Sequence, residues 1–120
     1  MCYNVYIDNK QNTLKEGLKM NNKKEAAKQF SILQMGLSLL NIEYAFKIDR
    51  FGDENGLHIL IDFADESISI VWNPMSMGYR NGLLEAWSFE NGKTFTDEEG
   101  NPYGYMTAFE ILAKLERKVK

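Results

Sequence analysis

The sequence predicts an α+β domain: a four-stranded antiparallel meander with two helices packed on one of its faces, in the order helix, four strands, helix. Three observations predict it. Ala26, Phe30, Leu33, Leu37 and Leu40 recur at helical spacing. Apolar residues then alternate with polar ones through four short runs between Ile42 and Phe89. A second helical stripe, Ile111, Leu112, Leu115 and Val119, closes the chain. Laying both helical stripes on one sheet face buries all of this apolar surface in two layers.

The first helix is predicted over residues 23–40, because Asn22-Lys23-Lys24-Glu25 has the form of a capping box, with Asn22 as N-cap and Glu25 three residues on. Gly36 costs roughly 1 kcal/mol against alanine inside a helix, so it marks either a close packing contact or an early end. Before it, Tyr3, Val5 and Ile7 alternate weakly and Thr13 to Met20 reads as a short helix, with residues 1–20 open to an irregular conformation.

Ile42, Tyr44, Phe46 and Ile48 alternate with Glu43, Ala45, Lys47 and Asp49, the two-residue period of a strand with one buried face. Gly52 to Gly56, containing Asn55-Gly56, predicts a turn, after which Leu57, Ile59, Ile61 and Phe63 resume the alternation. Asp65-Glu66 predicts a tight turn into Ser67 to Trp72. A fourth strand is expected over Leu83 to Phe89, with Leu83, Trp87 and Phe89 inward. Glu85 would go with them and need a partner, for which Arg80 is the candidate, since an unpaired buried carboxylate is costly. Asn91-Gly92 and Thr96 to Pro102 read as turns, and Thr107-Ala108-Phe109-Glu110 as a capping box opening the second helix, whose last turn carries Arg117, Lys118 and Lys120.

Composition narrows the function classes. The 120 residues carry 14 basic and 17 acidic side chains, net -3, which offers no generally basic surface for nucleic acid, so no direct nucleic-acid partner is expected. The single cysteine, Cys2, allows no internal disulfide. The lysine-rich start has no apolar signal region, and Phe30 to Leu40, 11 residues broken by polar ones, is well short of the roughly 20 a membrane span needs. The expectation is one domain, residues 1–120, in the cytoplasm and off the membrane. Charge is uneven: residues 1–50 hold 8 basic and 5 acidic residues, residues 51–120 hold 6 and 12. Asp53, Glu54, Asp62, Asp65 and Glu66 fit a solvated sheet edge; the alternative is an acidic face that imitates a nucleic-acid backbone in another protein's basic groove.

No catalytic set is expected. His58 is the only histidine; Asp62, on the same strand face, lies four residues away, about 13 Å at ~3.3 Å per residue, beyond direct coupling. A structural or merely exposed His58 is the expectation; with no second histidine and one cysteine at the chain start, zinc and Cys-His chemistry lack ligands or partners unless the fold brings Cys2 to His58. Asp49 to Gly56 and Asp97 to Gly104 both fail the EF-hand pattern, the first at Phe51 and the second at Pro102. No cofactor and no metal follow from this sequence.

The connection Asn73 to Gly82 is the most suggestive segment. It offers Met75, Met77, Tyr79 and Arg80, residue types enriched at interaction surfaces, with Trp72 and Glu85 on the flanking strands; the bland alternative is an Ω-like loop packed by its own side chains. The second sheet face, His58, Leu60 and Asp62, Ser69 and Val71, Leu84 and Ala86, is only half polar, so a partner, a second copy or residues 1–20 should cover it.

Ser76-x-Gly78-x-x-x-Gly82-Leu83-Leu84-Glu85, followed by Gly104-Tyr105-Met106-Thr107 and a closing helix, resembles short uncharacterised proteins of phages and mobile elements in low-GC bacteria, over about residues 42–120. In those proteins the strand before the loop generally ends in Cys-His; here Val71-Trp72-Asn73 stands instead. The resemblance implies an accessory protein of a mobile element and carries over no catalytic residue. Small acidic inhibitors of this kind, anti-CRISPR proteins among them, act by binding. The reading is therefore a non-catalytic protein-binding accessory protein, with a host defence nuclease as candidate target and Trp72, Met75, Met77, Tyr79, Arg80 and Glu85 as the contact set. Two alternatives stand beside it: a homo-oligomeric module, at its simplest a homodimer, and a small-molecule site near Trp72 and Arg80 with Arg80 as an anion clamp.

Overall fold

The antiparallel meander runs one strand further than the sequence pattern predicts. In a computed structural model, which describes the backbone of residues 7–120 and side chains from Asn22 onward, the elements are α1 (Ile7–Leu39), β1 (Ala45–Phe51), β2 (Glu54–Asp62), β3 (Ser67–Trp72), a 3-10 turn at Tyr79–Asn81, β4 (Leu84–Glu90), β5 (Tyr103–Met106) and α2 (Ala108–Val119). The five strands pair in sequence order, every neighbour antiparallel. The fold is α+β, as expected, with five strands in place of four. The extra strand, β5, is four residues long at the sheet edge, and contains Gly104 and Tyr105, the latter at φ 55°. Nothing in so short and glycine-broken a run gives a two-residue period.

Both helices bury their stripes against one sheet face. Ala26, Phe30, Leu33 and Leu37 of α1 and Ala108, Ile111 and Leu115 of α2 form a single buried cluster with Ile59, Ile61, Ile68, Ile70, Trp72, Leu84 and Ala86 of the sheet. Each buried Leu, Ile or Phe contributes about 1.5–3 kcal/mol, so this cluster dominates the stability of the domain. Buried Gln29 ties the two helices together: its side-chain oxygen accepts from the Ala108 N–H at 2.7 Å while its amide donates to Glu25 at 2.7 Å. The capping box of α2 forms as predicted, with the Thr107 hydroxyl accepting from the Glu110 N–H and the Glu110 carboxylate accepting from the Thr107 N–H.

Several expectations need correction. Helix α1 does not start at an Asn22 N-cap; it passes through Asn22 without a break and absorbs the short helix read over Thr13 to Met20. Cys2, Tyr3 and Val5 lie outside the described residues. The first hairpin turns at Gly52-Asp53, since Phe51 pairs with Glu54, which places Asn55 and Gly56 inside β2. The strand predicted from Ile42 begins at Ala45; Ile42 is buried in the connection before it. Phe46 and Ile48 share the core-side face with Ile59 and Leu57, their register partners, yet both are exposed because β1 is an edge strand, which α1 meets at the Phe30–Phe46 edge contact, centroids 6.1 Å apart.

The largest correction is the phase of β4. Leu84, Ala86 and Ser88 point into the core, while Glu85, Trp87 and Phe89 face outward. Leu83-Leu84 fits either phase, and the bulk of Trp87 and Phe89 favours the wrong one. Small residues are needed inside because the chain folds back and inserts Phe95, which is fully buried; the Ser88 hydroxyl accepts from the Phe95 N–H at 2.8 Å and the Ser88 N–H donates to the Phe95 carbonyl at 3.2 Å.

Gly36 is a close packing contact, the first of its two sequence readings: a Cβ there would sit 2.3 Å from Leu112 Cδ1. Because Leu112 ends in a flexible group, alanine can be absorbed, with its helical gain of roughly 1 kcal/mol against the crowding. Valine adds two further methyl groups at the α1–α2 contact. Gly36→Val should lower stability by about 1–3 kcal/mol, read as a lower urea midpoint at unchanged slope.

Candidate functional site: the Asn73–Gly82 loop and the open sheet face

The loop between β3 and β4 is held by its own polar groups. The Asn73 side chain accepts from the Met75 N–H at 2.8 Å, and the Ser76 hydroxyl accepts from the Asn73 N–H and donates to the Asn73 carbonyl, both at 2.9 Å. This local turn chemistry is what asparagine and serine supply best. The loop seats against α1 at Gly82, which adopts φ 67° and lies so near the helix that a Cβ would stand 2.6 Å from Glu25 Cβ. Only glycine meets both conditions.

The six expected contact residues divide into anchors and exposed groups. Trp72 is 2% exposed; its indole stacks on Tyr79 with centroids 4.7 Å apart and its N–H donates to the Tyr79 carbonyl at 2.9 Å. Tyr79 in turn donates its hydroxyl to Glu54 at 3.2 Å. Such a stack is worth about 0.5–1.5 kcal/mol beyond burial, and it fixes the loop to the sheet. Glu85 is not in the core and does not pair with Arg80: it faces outward and accepts from the Met77 N–H at 2.8 Å. Met75, at 83% exposed, Met77 and Arg80 remain at the surface. With Pro74, Ser76 and Tyr105 they surround a shallow concavity of about 340 Å³. Tyr105, exposed on β5 and donating its N–H to the Met77 carbonyl at 3.4 Å, belongs to this surface. Sequence reading missed it because β5 itself gave no strand signal.

The rings of Trp72 and Tyr79 fill the space between them, and Trp72 takes no part in lining the concavity. That arrangement counts against an enclosed small-molecule site between Trp72 and Arg80.

On the sheet face away from the helices, register places Lys47, His58, Val71 and Glu85 in one cross-strand row and Ala45, Leu60, Ser69 and Trp87 in the next. The half-polar second face therefore contains Trp87 and Phe89, each 41% exposed, and not the expected Leu84 and Ala86, which are in the core. Residues 7–20, expected as one possible cover, continue α1, whose buried stripe lies on the opposite face.

His58 is coupled after all, to Asp49 rather than Asp62. Its Nδ1 lies 2.9 Å from Asp49 Oδ2 and its Nε2 lies 2.9 Å from Ser69 Oγ, so three neighbouring strands contribute one hydrogen-bonded chain. The two-residue turn at Gly52-Asp53 produces this, because it sets Lys47 opposite His58 and so brings Asp49 diagonal to it. A turn placed at Asn55-Gly56, three residues later, hides the pair.

The acidic run is only partly a solvated edge. Glu66 is 2% exposed, with the Thr94 N–H and hydroxyl, Lys118 at 2.9 Å and Ser88 around its carboxylate. Burial pushes its pKa up, but these donors outweigh burial and hold it at about 2. Lys118 also bonds exposed Asp65 at 2.9 Å, lowering that carboxyl, and its own pKa is raised because the two carboxylates outweigh its desolvation. Among the described residues no group of three or more His, Cys, Asp or Glu side chains is placed to hold a metal ion, and no described helix is long and apolar enough to cross a membrane.

Against known proteins, no family model, no curated sequence and no solved structure matches this chain.

Because the Glu66 carboxyl is depressed in the folded state from 4.5 to about 2, its contribution to stability is complete above pH 4.5 and disappears as pH falls toward 2. Glu66→Gln should flatten that part of the profile of unfolding free energy against pH between 5 and 2, measured by urea denaturation, while destabilising the protein at neutral pH.

Proposed function

We propose that this chain is a protein-binding accessory factor of the phage or mobile-element kind, working in the cytoplasm by occupancy rather than turnover. Its contact surface is Met75, Met77 and Arg80 with Tyr105. The observation that carries this reading is the division of labour in the loop: Trp72, Tyr79 and Gly82 hold it in place, while Met75 and Arg80 stand outside and Met77, packed against Gly104 of β5, keeps part of its side chain at the surface. A preorganised loop loses little conformational freedom on binding, and Met, Arg and Tyr are residue types that interfaces favour. A host defence nuclease is the partner class supported by the sequence resemblance and by the excess of 12 acidic over 6 basic residues in positions 51–120.

The test is affinity capture of the tagged protein from its native host lysate at low and moderate salt, with identification of what is retained. A single protein should stay bound at moderate salt, and Met75→Ala combined with Arg80→Ala should weaken its binding about tenfold or more at an unchanged melting temperature. Tyr79→Ala, by contrast, should lower the melting temperature, because it removes the ring stacked on Trp72. Undiminished capture by the double variant contradicts the reading.

A second reading, self-association, is favoured by a different surface. Leu39 and Phe109 are exposed around a shallow apolar hollow that includes Leu40 and Leu112, where α1 ends beside α2. Light scattering at high micromolar concentration decides it: a dimer mass supports this reading and a monomer mass removes it.

A further inference from the structure

We propose that Ser69 is an acyl-acceptor site: its hydroxyl, activated by His58, takes one acyl group from an activated carboxylic ester whose apolar chain lies along the open sheet face. The inference goes beyond partner binding and rests on different residues.

The geometry is that of a nucleophile, a base and a group that orients the base. Asp49 Oδ2 lies 2.9 Å from His58 Nδ1 and its other oxygen 3.7 Å from Lys47 Nζ, an arrangement that suits the tautomer with the ring proton on Nδ1, donated to the carboxylate. The Nε2 lone pair is then directed at the Ser69 hydroxyl, 2.9 Å away. Asp49, His58 and Ser69 sit on β1, β2 and β3, three hydrogen-bonded strands, so the alignment is fixed by the sheet and not by a loop. The imidazole side chain is 15% exposed, which keeps it shielded while leaving an approach to the half-buried serine. On either side of Ser69 in its cross-strand row stand Leu60 and Trp87, with Val71 two residues along β3. These give an acyl chain an apolar surface to lie on.

In the step itself, Ser69 Oγ attacks the carbonyl carbon and its proton passes to His58 Nε2. The new Oγ–C bond forms, the bond to the leaving oxygen breaks, and His58 gives the proton to the departing phenoxide, or to water where that phenoxide is stable as the anion. Backbone N–H groups of β3 face ladders on both sides, since β3 pairs with β2 and with β4, so the strand that carries Ser69 offers no backbone oxyanion hole. A donor with a good leaving group is therefore required, and the alkyl ester left on Ser69 lacks one. The chemistry stops after a single stoichiometric acylation.

Incubation of the full chain with p-nitrophenyl butyrate tests this. The expected result is release of one equivalent of p-nitrophenolate and one butyryl group located by peptide mass spectrometry on Ser69. Ser69→Ala should abolish the modification; His58→Gln and Asp49→Asn should each slow it tenfold or more, with the fold checked by circular dichroism. Asp49→Asn preserves side-chain shape and keeps the test decisive if His58→Gln does not fold. Butyrylation of Lys47 or another residue instead of Ser69, a rate unchanged in Asp49→Asn, or release continuing past one equivalent overturns the proposal.

Discussion

Both helices lie on one face of the sheet, and the rest of the molecule depends on that one-sided packing. With α1 and α2 sharing the same side, every inward position from Ile59 to Ala86 is committed to a single core. The other face is left with whatever the alternate positions supply. In β3 and β4 those are Ser69, Val71, Glu85, Trp87 and Phe89, a mixture too apolar for an ordinary solvated face. The close approach of α1 to α2 at Gly36 supports the arrangement, because a branched residue there would crowd Leu112.

The same packing explains how a loop can be both exposed and fixed. Trp72 is the last residue of β3 and points into the core, so the chain leaving the sheet begins from a buried aromatic anchor. Tyr79 returns onto that ring, and Gly82 presses the loop against α1 before β4 begins. Met75, Met77 and Arg80 are what this clamp presents outward. At the opposite end of the sheet, Glu66 does a comparable job in polar form. Its buried carboxylate joins the turn before β3, Thr94 in the segment leading to β5, and Lys118 of α2.

Much of this was legible in the sequence where local rules and tertiary packing agree. The helical stripe from Ala26 to Leu37, the alternation in β2 and β3, and the Thr107–Glu110 capping box follow from periodicity and cap chemistry alone. The sequence was ambiguous where two local rules competed. Asn22 is a good N-cap in isolation, but a continuing helix needs no cap there. Asn55-Gly56 is the stronger turn dipeptide, yet the hairpin closes at Gly52-Asp53, and that shift hid the Asp49–His58–Ser69 chain. In β4 residue size pointed to the wrong face, because the space under Ala86 and Ser88 is taken by Phe95, a residue separated from the strand by a turn. The loop was correctly singled out, but which of its residues anchor and which are presented depends on the stack of Tyr79 on Trp72, which no spacing rule encodes.

One-sided packing is tested most directly by the two tryptophans, which it assigns to opposite sides of the sheet. Acrylamide quenching of tryptophan fluorescence should resolve one shielded and one accessible component in the wild-type protein at low micromolar concentration. Trp87→Phe should remove the accessible component and leave the shielded one, Trp72. Two shielded tryptophans in the wild type, or an accessible component that survives Trp87→Phe, would contradict the account.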